Sequence, residues 1–99
     1  MNSREELTQK VLDVVVDETG VNGKDITRKS KITAHVEARV IFCMMLRLFG
    51  YTLKEIQTIV GLNHHSCVFH LLNTHDDRYQ YNRKYKYMYD KVKNSLDFI

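Results

Sequence analysis

Leu7, Val11, Val14 and Val15 recur at the spacing of a helix with one buried face, and Gly20 supplies a stop. Ser3 followed by Glu6 is a capping-box pattern that predicts where this helix begins. From Val21 to Ile32 the period is lost among Asn22-Gly23, Asp25 and the run Arg28-Lys29-Ser30-Lys31. That stretch predicts a loop with one helical turn near Lys24 to Thr27, its basic cluster mobile and exposed. A second long helix is expected from Thr33 or Ala34, with Ala38, Ile41, Phe42, Met45, Leu48 and Phe49 on one stripe and Gly50 at its end. Arg39 lies off that stripe near the helix start, free to point toward a ligand. Asp76 to Phe98 reads as a single final helix with Tyr81, Tyr85, Met88, Val92 and Leu96 inside.

Between these helices, Tyr51 to His70 predicts two short helices folded about Gly61. Thr52 and Glu55 form a second capping box at the start of the first. Asn63 is the expected cap of the second, which leaves His64, His65, Ser66 and Cys67 in its first turn. This is the layout of a helix-turn-helix, whose second helix offers its first-turn side chains to base edges in the major groove. The expectation is an all-α, compact bundle of about five helices forming one domain over residues 1–99.

Composition adds little to this picture: 43% of residues are apolar and proline is absent, so nothing interrupts long helices. Charge adds more. The formal net charge is +3, but residues 26–54 hold six basic side chains (Arg28, Lys29, Lys31, Arg39, Arg47, Lys54) against Glu37 alone. The positive stretch runs into the helix-turn-helix, where neutralising phosphates releases condensed counterions. The longest apolar stretch, Val40 to Leu46, is far below the roughly 20 residues of a membrane span, so no membrane partner is expected. Cys43 and Cys67 stand singly without a CxxC, which suits a reducing, cytoplasmic setting.

The residues so arranged resemble the C-terminal DNA-binding domain of the bacterial replication initiator DnaA, a Trp-repressor-like helical fold. The resemblance runs from about Val11 to Leu96. It rests on Ala38-Arg39, on Leu53-Lys54-Glu55-Ile56, on Gly61, and above all on His65-Ser66-Cys67-Val68-Phe69-His70, similar to the family signature Asp-His-Thr-Thr-Val-Leu-His. It implies that His65, Ser66 and Cys67 face bases and that Arg39 contacts DNA beside them. The loop cations Arg28, Lys29 and Lys31 stand nearest the family's minor-groove arginine, although Thr33 falls opposite it in register. Lysine lacks the planar fork that suits a narrow groove. Thr52, Lys54, Asn63 and His64 complete the expected contact surface.

Departures from the signature concern what is read. His64 replaces an acidic residue suited to a cytosine amino group, Cys67 replaces a hydroxyl, and Ser66 lacks the methyl that threonine lays against thymine. A recognition site different from the family's usual one is expected. The sequence also has no GxxxxGK[ST] loop, so nucleotide-driven origin opening is not expected of it. Met1 followed by a capped helix favours a free-standing binder, acting in replication or at initiator-like regulatory sites, with replication or regulatory proteins as further partners.

Three rivals use the same residues. A zinc site could draw on His64, His65, Cys67, His70 and His75, but the only distant cysteine lies in an apolar stretch and the spacing is not a closed ligand set. A Cys67–His nucleophile lacks an oxyanion hole or pocket, so no enzyme, cofactor or metal is expected. The serious rival is a helical protein-interaction module that has lost DNA binding, since the first turn carries no Arg or Lys of its own. Five tyrosines interleave with lysines and Arg83 in the last helix, an arrangement able to stack on single-stranded bases. Scaffold is the preferred expectation there, with Tyr81 and Tyr85 in the core and the remaining rings half-buried.

Overall fold

The computed structural model describes residues 3–97. The elements are α1 (Ser3–Thr19), α2 (Gly23–Ile26), α3 (Thr33–Leu48), α4 (Leu53–Val60), α5 (His65–Asn73), α6 (His75–Tyr81) and α7 (Arg83–Leu96), with no strand among the described residues. The expected loop turn is α2, capped by Asn22, whose side chain accepts from the Lys24 amide at 3.4 Å. Ser3, the expected cap of α1, is already helical as the first described residue, and Phe98 at the other end lies outside the described residues.

Every other helix packs against α3. That position explains its sequence. Glu37 to Cys43, Met45 and Leu46 are buried on all sides of the helix, so the apolar stripe is only its most hydrophobic part. Val11 and Val15 of α1, Ile56 and Val60 of α4, Val68 of α5 and Tyr85, Val92 and Leu96 of α7 close around it into one core. Burying a side chain of this size contributes about 1.5–3 kcal/mol, which is why these positions tolerate no polar residue without a partner. Leu48 departs from its expected place and is exposed, because α3 ends there at the rim of a shallow groove bordered by Lys93 and Leu96.

Tyr51 ties the start of the helix-turn-helix to α1. Its ring is buried, its hydroxyl donates to the Arg4 carbonyl at 3.0 Å and shares a hydrogen bond with Thr8 at 2.7 Å, and the Arg4 guanidinium lies 4.3 Å from the ring centroid.

The single final helix of the sequence reading is two helices. Asn82 has extended backbone (φ −120, ψ 101), caps α7 by accepting from the Tyr85 amide at 3.0 Å, and donates to the buried Glu37 carboxylate at 2.8 Å. A continuous helix would place Tyr81 and Tyr85 on one face. The break at Asn82 rotates the phase, so Tyr85 is sealed while Tyr81 is 77% exposed, which corrects its expected core placement. Tyr85 meets His75 in a buried pair (Nδ1 to hydroxyl 2.8 Å), and the imidazole packs on Tyr79 and Tyr89.

Candidate nucleic-acid interface

The capping box of α4 forms as expected: Glu55 N–H donates to the Thr52 hydroxyl at 3.1 Å and Thr52 N–H donates to the Glu55 carboxylate at 2.9 Å. That backbone hydrogen bond, more than the neighbouring Arg4 charge, holds the Glu55 carboxyl below its ordinary range. Thr52 and Lys54 are exposed at the opening of the helix. Gly61 ends α4 in the left-handed region (φ 68), and a Cβ there would stand 3.1 Å from the Thr27 carbonyl. The turn of the helix-turn-helix is thereby pressed against the end of α2, where the basic loop begins.

Asn63 does not cap α5. The cap position falls one residue later, on His64, which is extended and makes no side-chain cap hydrogen bond. The Asn63 carbonyl is instead taken by Gln57 Nε2 at 3.0 Å, which also reaches the Leu62 carbonyl at 3.3 Å and pins the turn from α4. Gln57 was not singled out from the sequence. A side-chain amide four residues before a glycine stop is the only sign of it.

Exposure along α5 follows the helical period. His65, Ser66, Phe69, His70 and Asn73 are exposed and form one outward strip, with His64 exposed just before it. Cys67 differs. It is half-buried and lines a groove of about 410 Å³ with Val36, Arg39, Leu62, His70 and Arg78. Of the four expected base-contacting residues, His64, His65 and Ser66 therefore stand on open surface, and Cys67 stands at its edge. Phe69, His70 and Asn73 share that surface and were absent from the sequence expectation, although the same period marks them.

Arg39 is corrected most. It is not free to point outward: it is 3% exposed and its guanidinium faces the main chain of the basic loop. Nε donates to the Ile26 carbonyl at 2.9 Å, one terminal nitrogen to the Ser30 carbonyl at 3.1 Å, and the other to the carbonyls of Asp25 (2.8 Å) and Arg28. Burial lowers its pKa from the ordinary arginine value, while Cys43 and Asp25 act the other way. Asp25 reinforces the same loop through Arg28 (3.0 Å) and His35 (3.6 Å), and His35 shares a hydrogen bond with Ser30 at 2.8 Å. The loop expected to be mobile is pinned at its backbone, while the side chains of Arg28, Lys29 and Lys31 remain exposed.

Cys43 is sealed in α3, and burial pushes its thiol up to about 12. Among the described residues no three His, Cys, Asp or Glu side chains gather as metal ligands would, and no helix is long and apolar enough to cross a membrane.

Two helices joined by a glycine turn, the second with its outer strip open and the turn set against the end of α2 where the clamped cationic loop begins, define a helix-turn-helix protein. The match to the family described as bacterial DnaA protein helix-turn-helix covers residues 8–74, and the chain belongs to that family. The match runs from within α1 through α5 and stops before α6 and α7. No curated protein and no solved structure matches the chain.

Proposed function

We propose that this domain binds double-stranded DNA at specific sequences, with α5 in the major groove and the loop of Arg28, Lys29 and Lys31 on the adjacent backbone or minor groove. One observation carries the reading: Arg39, which clamps the backbone of the loop, also lines one groove with Cys67 and His70 of α5, while Arg28, Lys29 and Lys31 stay outward. His64, His65 and Ser66 supply base contacts, joined by Phe69, whose exposed ring suits a thymine methyl. Thr52, Lys54 and Asn63 lie along the phosphate path. Arg39 acts as a positioning residue rather than a contact. The setting that fits is the cytoplasmic nucleoid, in replication initiation or at regulatory sites resembling those of initiators, with no nucleotide hydrolysis by these residues.

Selection from a random duplex library, followed by fluorescence anisotropy on the enriched sequence, tests the reading. His65→Ala should reduce discrimination between the selected site and single-base variants by about 1–3 kcal/mol at the affected position while leaving non-specific binding nearly unchanged. Recovery of no preferred sequence, with duplex affinity indifferent to salt, would leave the protein-interaction module as the better description.

A further inference from the structure

We propose that the outer face of α7, with the corner it makes with α6, is a second nucleic-acid surface, built for single strands and separate from the helix-turn-helix. The side of α7 turned from the core carries Arg83, Lys84, Lys86, Lys91 and Lys93, all exposed, and none of them has a carboxylate within salt-bridge distance among the described residues. The one acid of the helix, Asp90, accepts the Tyr79 hydroxyl at 2.9 Å.

Within this field sits Tyr87, whose ring is 63% exposed. Arg83, Lys84 and Lys91 lie one turn before and after it on the same face. Lys91 Nζ is 5.4 Å from its ring centroid. Tyr81, 77% exposed, adds a second ring at the α6–α7 corner, and Asp77 one turn earlier marks where the patch ends.

A tyrosine ring buries some 150–250 Å² when packed, so leaving two of them open forgoes a large stabilisation. Unpaired bases offer such rings a partner, because every base has a π face and the phosphates between bases find the flanking cations. A duplex keeps its base faces stacked inside and would use only the charge. The surface lies on a different helix from the other: α7 packs on α1, α3 and α6, while α5 packs on α3, α4 and α6.

The test uses the full chain and two probes, a fluorescein-labelled oligo(dT) of about 20 nucleotides and heparin, which has the charge without the bases. The parent should bind oligo(dT), and Tyr81→Ala with Tyr87→Ala should weaken that binding by about tenfold or more while heparin binding is unchanged. Tyr81→Phe with Tyr87→Phe should restore oligo(dT) affinity, since phenylalanine also stacks. Lys84→Glu with Lys91→Glu should weaken both probes. These positions are exposed, and far-ultraviolet circular dichroism checks that each variant keeps its helices. The proposal is overturned if the parent does not bind oligo(dT), if the alanine pair binds it as well as the parent, or if oligo(dT) and heparin fall together in that pair. Duplex binding is read separately, so failure of the helix-turn-helix assignment leaves these outcomes unaffected.

Discussion

Arg39 shows how far a residue's work can lie from its chemical label. As a lone cation at the start of a helix it reads as a DNA contact. Its partners, however, are main-chain oxygens 9 to 14 residues back, and a carbonyl has no sequence signature. Arg39→Lys keeps the charge but cannot fork to four carbonyls. It should cost about 2–3 kcal/mol in urea unfolding and increase amide exchange in residues 25–30, with duplex affinity falling as the loop loosens. Retention of parental stability in this variant would show that the clamp is not needed. His75 gives a prediction of a different kind. Burial lowers its pKa, with Asp76 opposing, so the folded state holds the imidazole neutral against Tyr79, Tyr85 and Tyr89. Its contribution is present above the unfolded histidine value of about 6.5 and is lost as pH falls from there toward the lowered folded value. The thermal midpoint should therefore drop between pH 7 and pH 5, and His75→Phe should flatten that slope.

Elements were readable where local signals agree and unreadable where a tertiary partner decides. The capping box of α4 needs only Thr52 and Glu55, and it forms as written. The start of α5 shifted by one residue because Gln57 holds the Asn63 carbonyl, a contact that crosses the turn. The break between α6 and α7 depends on Asn82 meeting Glu37, 45 positions away, so periodicity alone carried the helix through it. Two substitutions test these joints. Gly61→Ala forces a side chain into the left-handed region and against the Thr27 carbonyl, and should destabilise by about 1–3 kcal/mol in chemical denaturation. Asn82→Ala removes a cap and the partner of a buried carboxylate, for about 1–3 kcal/mol. In Asn82→Ala, nuclear magnetic resonance should show the largest shifts at the α3–α7 contact around Glu37.

At the scale of the molecule, α3 is a central post, and the family, the all-α class and the order of helices could be read because its surroundings repeat a familiar arrangement of short signals. The strip on α5 could be read only in its first turn, since its later residues carry no unusual chemistry and become visible once the helix phase is known. Duplex affinity should fall steeply with salt, and Lys29→Ala with Lys31→Ala should reduce the magnitude of the log–log slope by about 2, as measured by anisotropy titrations at several salt concentrations. An unchanged slope would remove the loop from the interface. The clamp has a further consequence for engineering. Since it grips peptide oxygens alone, the shape of the segment depends little on which side chains ride at positions 28, 29 and 31, and the one ion pair made from those positions, Arg28 with the half-buried Asp25, has its Arg28 end in solvent. Exchanges at those three sites should each shift folding by no more than about 0.5 kcal/mol, so new reading preferences can be grafted on without rebuilding their support.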